Sequence, residues 1–393
     1  MKNKYLFAAA AMLLAMTAFV SCTDKESNPV DEKPQAAHTL SVSAESSSDI
    51  PEEGGQLVIK VESNCEWHVT SSASWAAPSK TKGFGNDNVI INVATNAVPS
   101  ERSAVITVSD CMDYNWDGVI DENDLRAGDI GFVTFDVKQA AAEVKRPVCD
   151  IFDWEIDKNG NATDKSTAKL PITFVPGGKM TVQMNDKTGK YDAYFSPVNA
   201  DGADVAPSKT SYAGYYHAKY EDRPQIVANL ADGFSMEVLL CPDFDHAANG
   251  SAEVKPFSSM QSGGFGFCFM NASRNNAMGC QMNLTAGGKT GWYRTFDAVA
   301  VEQGKWYHSV FVYNHDEQSM KLYMNGKLVD TQSAPGTYTP CAAKAGYFMV
   351  GGDPNSNDGA TCTAAFKGRV AIARIYGEPI AAEQVELLWK DIK

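Results

Sequence analysis

The chain has 393 residues, too many for one ordinary domain, and 44% of them are hydrophobic, which is enough to build more than one core. Its formal net charge at pH 7 is −14. Because the phosphate backbone of a nucleic acid repels such a surface, we expect no nucleic-acid partner. The acidity suits calcium ions or neutral polymers better.

The N-terminus has the pattern of an export signal. Lys2 and Lys4 give a positive start, residues 5–20 are nearly all apolar, and a small residue then precedes Cys22. These features predict a signal peptide, because the apolar run is short for a membrane-spanning helix of about 20 residues. A cysteine directly after the cleavage position resembles a bacterial lipobox, which implies a lipoprotein signal peptide over residues 1–22 and a lipid on Cys22. The alternative is an ordinary signal peptide with a chance cysteine.

The residues after Cys22 extend this prediction. Residues 23–26 include two acidic side chains and resemble the surface-export signals of Bacteroidetes lipoproteins. A lipidated N-terminus anchors a chain without spanning the membrane, so the resemblance implies an outer-membrane protein exposed at the cell surface. Residues 23–37 are polar, with two prolines and mixed charges, and predict a flexible tether.

Short β-strands separated by turn residues follow the tether, as in an immunoglobulin-like sandwich. The predicted strands are residues 39–44, 55–61, 66–71, 89–93, 103–108 and 131–139. The pattern along them consists of Gly54-Gly55 before a strand, Trp67 within the next, then Trp75, Arg102 at the start of a later strand and Gln139 at the end of the last. This order resembles the BACON module of Bacteroidetes surface proteins and implies an immunoglobulin-like domain over residues 38–141.

Residues 113–124 form an insert that the BACON pattern does not require. Oxygen-bearing groups recur along it at the spacing of an EF-hand type of calcium loop. The predicted ligands are Asp113, Asn115, Asp117, the carbonyl of Val119, Asp121 and Asp124. Asp124 stands at the position where an EF-hand has Glu. An Asp at this position makes the loop similar to those of dockerins, but a dockerin would have two such loops. We therefore expect a structural calcium ion that orders a long hairpin loop, and the alternative is an Asp/Asn-rich turn without an ion.

The most informative part of the second half is residues 304–330. Residues 306–313 are β-branched and aromatic, apolar on both faces, and predict a strand inside a sandwich. A second strand over residues 320–324 ends at Asn325-Gly326, a strong signal for a two-residue hairpin turn. At the C-terminus, apolar residues at helical spacing over residues 381–389 predict a short helix packed on the sandwich.

These motifs resemble the laminin-G/concanavalin A-like jelly roll. Gly304, Trp306 and His308 match its Gly-x-Trp-x-His start, and Asn325-Gly326 matches its aromatic-x-Asn-Gly turn. Residues 366–376, which end in Arg-x-Tyr, are similar to its closing strand. The resemblance implies a jelly-roll sandwich over residues 150–393. The whole chain is thus predicted to be all-β, with an immunoglobulin-like sandwich followed by a concanavalin A-like jelly roll.

The jelly-roll resemblance raises the question of glycoside hydrolysis. Glu155 and Asp157 fall on one side of a strand, as in the carboxylate motif of related glucanases. The third carboxylate is missing, because Asn159 and Gly160 stand in its place. We expect a first strand with its hairpin here, no catalytic residues in the chain and no enzymatic activity.

The nine cysteines give no zinc signal, because no pair has Cys-x-x-Cys spacing. Eight remain if Cys22 carries lipid. Cys268 and Cys280 flank a predicted hairpin loop and could face each other in a disulfide. Buried free thiols are the alternative.

Candidate sugar-binding groups lie in segments that look like loops or strand edges, at residues 263–266, 291–294 and 351–358. Aromatic rings stack on pyranose rings, and Arg or amide side chains donate hydrogen bonds to hydroxyls. The candidates are Trp292, Tyr293, Arg294, Asp353, Asn355 and Asn357. We expect noncatalytic capture of a polysaccharide or glycoprotein glycan, with outer-membrane uptake or adhesion proteins as further partners. The alternatives are ordinary solvated loops, an adhesion protein that binds protein, or an unrecognised glycosidase.

Overall fold

The computed structural model describes residues 37–44, 48–112, 120–199, 201–208, 213–249, 253–260, 263–339, 346–355 and 359–392. The chain divides after Val144 into two compact units, and this boundary falls between the two predicted domains. Within the described ranges, no helix has the length and apolar character needed to cross a membrane.

The first unit is a sandwich of two sheets. Its strands are β1 (Leu40–Ala44), β2 (Asp49–Ile50), β3 (Gly55–Ser63), β4 (Glu66–Ser71), β5 (Ala76–Pro78), β6 (Lys82–Phe84), β7 (Asp87–Val93), β8 (Arg102–Ser109) and β9 (Phe132–Gln139). One sheet has the order β1-β3-β7-β5 and the other β2-β9-β8-β4-β6. Leu57 and Ile91 of the first sheet share a core with Trp67, Ile106 and Val137 of the second. All six strands predicted in this region are confirmed, with ends that differ by one or two residues.

Arg102 and Gln139 of the BACON pattern form a hydrogen-bonded cluster at one end of this sandwich, which we call the Arg102–Gln139 cluster. The Arg102 guanidinium lies 4.3 Å from the Trp75 ring centroid, and its Nε donates to Gln139 Oε1 at 2.8 Å. Gln139 Nε2 donates to the carbonyls of Pro51, Glu52 and Ala94 at 3.1, 3.2 and 2.9 Å. The Arg102–Gln139 cluster links the ends of several strands by hydrogen bonds, so these residues of the pattern stabilise the fold.

The second unit contains a larger sandwich. Its elements are β10 (Phe152–Ile156), β11 (Ala162–Asp164), β12 (Ile172–Val175), β13 (Lys179–Met184), β14 (Tyr191–Ser196), β15 (Tyr215–Lys219), α1 (Pro224–Asp232), β16 (Gly233–Pro242), β17 (Phe257–Ser259), β18 (Phe265–Phe269), β19 (Ala277–Ala286), β20 (Lys289–Ala300), β21 (Tyr307–Asn314), β22 (Ser319–Met324), β23 (Lys327–Ser333), β24 (Tyr347–Val350), β25 (Asp353–Pro354), β26 (Cys362–Thr363), β27 (Gly368–Tyr376) and α2 (Ala382–Lys390). The predicted all-β architecture of two sandwiches is confirmed.

Two large sheets build this sandwich. The first has the order β11-β10-β27-β16-β21-β22-β23, with β14 also paired to β27 and β13 to β14. The second has the order β12-β15-β24-β17-β18-β19-β20. Phenylalanines and methionines of both sheets, such as Phe234, Phe267 and Met282, meet in one buried core. Strand β20 is therefore the edge of the second sheet.

Strand β21 shows why its sequence is apolar on both faces. Phe311 and Tyr313 point into the core between the sheets. Val310 and Val312 point to the other side, where they pack with Val385 and Leu388 of α2. The C-terminal helix is thus confirmed at its predicted place, and it covers part of the outer surface of the first sheet.

The Asn325-Gly326 turn joins the two sequence motifs of this region. Both residues have positive φ, +50° and +77°, as the predicted hairpin turn requires. Asn325 Oδ1 accepts a hydrogen bond from His308 N at 3.0 Å, and Asn325 N donates to His308 O at 2.8 Å. A Cβ on Gly326 would lie 2.6 Å from the Trp389 ring, so glycine also leaves space for α2.

The disulfide alternative for Cys268 and Cys280 is wrong. The pairing of β18 with β19 sets Cys268 opposite Gly279 and Phe267 opposite Cys280. Because neighbouring residues of a strand point to opposite faces, the two thiols lie on opposite sides of the sheet. Within the part of the chain that the structure describes, the seven cysteines are free thiols.

Candidate functional site

The outer face of the edge strand β20 carries the best-placed sugar-binding candidates. Trp292 is 38% exposed, whereas most aromatic side chains of this sandwich are buried. Tyr293 turns inward and packs against the core, opposite the buried Met282. Trp292 and Arg294 consequently share the outer face. Strand alternation turns the Tyr293 ring toward the sandwich, where it is partly buried, so Tyr293 offers less surface to a sugar than Trp292 does.

Strand β19 supplies the neighbours of these two residues. Asn283 pairs with Trp292 and Gln281 with Arg294. The Nε of Arg294 donates to Gln281 Oε1 at 3.1 Å, and Gln281 Nε2 donates to Cys268 Sγ at 3.2 Å. Gln281 is almost fully buried, so it holds the guanidinium in one orientation. We call Trp292, Arg294, Asn283 and Gln281 the edge patch.

The edge patch combines a flat aromatic surface with fixed polar groups. An indole face stacks on the apolar side of a pyranose ring. The remaining guanidinium N–H groups of Arg294 and the amide of the half-buried Asn283 can pair with hydroxyls or a uronic-acid carboxylate. A largely apolar contact with a few oriented polar groups is typical of small-ligand sites.

Asp353 does not belong to such a site. Its side chain is fully buried, and the Lys255 ammonium lies 3.1 Å from Oδ2. Oδ1 accepts from Ser258 Oγ at 2.5 Å and from Met260 N at 2.9 Å. Burial alone would lower the pKa of Lys255, but the charge and hydrogen bond of Asp353, together with Cys268 and Glu253, outweigh it and raise that pKa. The expectation that Asp353 binds sugar is wrong, because internal partners already occupy both oxygens.

The other candidates of that region separate from the edge patch. Asn355 is exposed, and its backbone N–H donates to Thr361 O at 3.0 Å. Asn357 lies outside the described residues. Asp353 lies beside β17, which is three strands from β20 in the sheet. The segment 263–266 was expected at a loop or edge, but Phe265 begins the buried interior strand β18.

Part of the predicted calcium loop can be located. It lies between β8 and β9, and Asp121 caps a short 3-10 helix, Glu122–Asp124, by accepting from Asn123 N at 2.8 Å. Asp124 is buried, and its Oδ2 accepts from Asp121 N at 3.1 Å. The remaining predicted calcium ligands lie outside the described residues, and they are Asp113, Asn115, Asp117 and Val119. The predicted lipidation site, Cys22, also lies outside the described residues.

The carboxylates Glu155 and Asp157 belong to the β10–β11 hairpin. The Lys190 ammonium lies 2.5 Å from Glu155, and its hydrogen bond is the main reason that the pKa of Glu155 is lowered. The side chain of Asn161, followed by its backbone N–H, lowers the pKa of Asp157. A general acid in glycoside hydrolysis needs a raised pKa, so neither carboxyl has the electrostatic environment for that role.

A buried network of charged and polar side chains around Glu237 was not predicted from the sequence. Glu237 on β16 receives His308 Nε2 at 3.0 Å, Tyr376 Oη at 2.5 Å and an Arg374 N–H at 3.2 Å. Arg374 Nε also donates to Asp153 Oδ1 at 2.8 Å. The available signal was one acidic residue inside the otherwise nearly apolar run 234–240. His308, Arg374 and Tyr376 of the jelly-roll motifs thus converge on one carboxylate.

The electrostatics of this network are those of a structural ion cluster. Burial alone would raise the pKa of Glu237, but Arg374, His308 and Tyr376 outweigh it and lower the pKa to about 2. A cavity of about 350 Å³ opens beside Arg374 on the outer side of this sheet. The charged groups that line it pair with one another, as in Lys190 with Glu155 and Arg146 with Asp391. The edge patch is therefore the better candidate for ligand binding.

The protein is all-β and consists of two sandwich domains, and the second of them carries the edge patch. Residues 66–113 match the BACON family model, described as a putative N-terminal binding domain. Residues 228–386 match a laminin-G model of the concanavalin A-like lectin/glucanase superfamily. The chain thus contains a BACON domain followed by a concanavalin A-like domain, as the sequence motifs implied.

The chain matches only part of the length of each similar protein described next. A xyloglucan-specific endo-β-1,4-glucanase of Bacteroides ovatus is 33% identical over 99 residues, which are 25% of this chain and 18% of that enzyme. The receptor-binding domain of a botulinum neurotoxin C/D mosaic is 13% identical with a TM-score of 0.43, covering 62% of this chain and 51% of its own. The binding domain of botulinum neurotoxin DC in complex with rat synaptotagmin II is 12% identical, also with a TM-score of 0.43, covering 62% and 52%. At these values the structural likeness supports no inference about a ligand.

Proposed function

We propose that this protein is a noncatalytic carbohydrate-binding lipoprotein of the outer membrane, exposed at the cell surface. The concanavalin A-like domain binds a polysaccharide or a glycoprotein glycan, and the BACON domain acts as a spacer between the lipid on Cys22 and the binding domain. Proteins of outer-membrane uptake or adhesion are its further partners. Mass spectrometry of the mature N-terminus tests the lipid on Cys22, and an unmodified cysteine there would remove the anchor from this proposal.

The observation that carries the glycan proposal is the exposed indole of Trp292 beside the oriented guanidinium of Arg294. Exposing a large aromatic side chain at a sheet edge costs solvation free energy, since each Å² of buried apolar area contributes about 25 cal/mol. The fixed polar neighbours Gln281 and Arg294 give this surface the directional groups that a sugar needs. The match to a superfamily of lectins and glucanases supports the same class of ligand.

Trp292→Ala is expected to weaken glycan binding at least about tenfold, or about 1.4 kcal/mol. The reason is the loss of the stacking surface, while the partly buried Tyr293 and the core stay unchanged. The measurement is a polysaccharide and glycan array followed by affinity-gel electrophoresis or calorimetry on the glycans that bind. Trp292→Phe should retain most of the affinity because it keeps an aromatic face.

Phe84→Ala is the matched control, since Phe84 is 74% exposed, more than any other aromatic among the described residues of the BACON domain. It should leave glycan binding unchanged. Binding that survives Trp292→Ala would move the site away from the edge patch. Capture of a protein with no retention of any polysaccharide would replace the glycan proposal by one of protein adhesion.

Calcium is the proposed structural cofactor of the BACON domain, held by residues 113–124. Calorimetry should show one calcium ion bound per chain and no binding after Asp117→Ala, because that change removes a carboxylate from position 5 of the loop. Glycan affinity should not change, since the loop belongs to the other domain. Unaltered calcium binding by the variant would rule out this ligand set.

A further inference from the structure

Four chain segments meet at one end of the BACON domain, and each brings a metal-ligating side chain. His38 lies two residues before β1, and Cys65 lies in the turn between β3 and β4. Asp110 follows β8, and Asp129 precedes β9, so these two stand at the base of the segment that contains residues 113–124. None of these four is among the predicted calcium ligands.

The distances suit a small coordination sphere. His38 Nδ1 lies 3.1 Å from Asp110 Oδ2 and 3.8 Å from Asp129 Oδ1. The ligand atoms of His38, Cys65 and Asp110 all lie within 4.8 Å of one another. Metal bonds of about 2.0–2.3 Å in a tetrahedral zinc site separate ligand atoms by about 3.3–3.8 Å. Small side-chain shifts therefore convert this arrangement into a site.

Neighbouring groups orient the ligands as they do in metal centres. Asp110 Oδ1 accepts from Gly131 N and Oδ2 from Ile130 N, both at 2.8 Å. Ser63 Oγ lies 3.2 Å from Cys65 Sγ and accepts from the Cys65 N–H at 3.1 Å. Such outer partners fix side-chain direction and tune the ligand atoms. Cys65 and Asp110 are buried, whereas the side chain of His38 is 29% exposed and provides a route from solvent.

The groups of the cluster suit a divalent cation. His38 Nδ1 lies 3.1 Å from Asp110 Oδ2, a contact that one imidazole tautomer makes by donating its N–H and that a shared metal ion would make in the other tautomer. Two carboxylates, those of Asp110 and Asp129, face the imidazole, and Cys65 adds a sulfur ligand beside them.

We propose that His38, Cys65, Asp110 and Asp129 bind a divalent transition-metal ion, with zinc as the ion that fits this ligand chemistry. One imidazole, one thiolate and two carboxylates form the mixed nitrogen, sulfur and oxygen set that tetrahedral zinc accepts, whereas calcium prefers oxygen ligands alone. Binding releases the thiol proton of Cys65 to solvent as the sulfur–metal bond forms. The ion pins the segment before β1 to the base of the inserted loop.

The test uses the full-length protein, stripped with a chelator and then titrated with zinc or cobalt. Elemental analysis after dialysis should give one zinc per chain. Cobalt should produce the near-ultraviolet charge-transfer band of a metal–thiolate bond. Cys65→Ser should abolish that band and lower zinc affinity more than about 100-fold, since even changes to outer partners of a metal cost about 10–100-fold.

Further variants keep the result interpretable. His38→Gln, at a partly exposed position beside β1, should lower zinc affinity comparably in a chain that still shows the native circular dichroism spectrum. His68→Gln in the same domain and Cys241→Ser in the other domain should bind zinc like the parent. Asp117→Ala and excess calcium should leave zinc binding unchanged. A folded parent that retains no zinc and gives no cobalt–thiolate band, or equal binding by Cys65→Ser, would overturn the proposal.

Discussion

Glu237→Ala is expected to lower the free energy of unfolding of the concanavalin A-like domain by about 3–5 kcal/mol, the usual cost of removing one partner of a buried ion pair. The change leaves Arg374 facing only Asp153 and takes the acceptor away from His308 and Tyr376. It also opens a cavity between three strands. Urea denaturation followed by circular dichroism measures the effect.

Glu317→Ala is the matched control for this prediction. Glu317 pairs with Lys321 at 2.8 Å, but the two side chains are 53% and 31% exposed, so solvent screens the pair. Exposed ion pairs contribute about 1 kcal/mol or less, so the midpoint should hardly move. Equal effects of the two substitutions would show that the network around Glu237 contributes nothing beyond an ordinary surface pair.

The same network predicts how the stability of this domain depends on acid. The Glu237 carboxyl has a pKa of about 2 in the folded chain against 4.5 for the free side chain. Its stabilising contribution is therefore fully present above pH 4.5 and is lost as the pH falls from 4.5 through about 2. Glu237→Gln should flatten this part of the stability profile, and an unchanged slope would contradict the assignment.

Gln139→Ala is expected to cost the BACON domain about 3 kcal/mol, because each buried polar group left without its partner costs about 1–3 kcal/mol. The change removes the donor to the carbonyls of Pro51, Glu52 and Ala94, and Arg102 loses its acceptor. The unfolding midpoint of the first domain in urea is the measurement.

Gln56→Ala provides the comparison within the same domain. Gln56 Nε2 donates to Asn92 Oδ1 at 3.0 Å in an exposed position. Its removal should change the unfolding free energy by no more than about 0.5 kcal/mol. If Gln139→Ala changed the unfolding free energy as little as Gln56→Ala, the Arg102–Gln139 cluster would not explain the Gln139 position of the BACON pattern.

Local signals in the sequence were sufficient for the strands and turns. Short strand-like runs between turn residues located the strands of the BACON domain, and the need for positive φ located the turn at Asn325-Gly326. The two apolar faces of β21 correctly indicated a strand buried on both sides. These features depend on neighbouring residues, so they can be deduced without knowing the rest of the fold.

The roles of single polar residues could not be deduced in the same way. Asp353 stands in an Asn- and Asp-rich segment typical of a solvated loop, and only the partner Lys255, 98 residues away, shows that it is buried. Trp292 and Tyr293 look equivalent until the pairing with β19 decides which of them faces out. His38 and Asp110 are 72 residues apart, so no spacing motif announces their contact.

The pairing of β10 with β27 has a consequence for the order of folding. Phe152 pairs with Ile375 and Asp153 with Arg374, so the first strand of the concanavalin A-like domain lies against the last. The domain cannot close until its final strand has joined its first, whereas all strands of the BACON domain are complete by Gln139. Until that pairing forms, the apolar interior of the larger sandwich is exposed to aggregation and proteolysis.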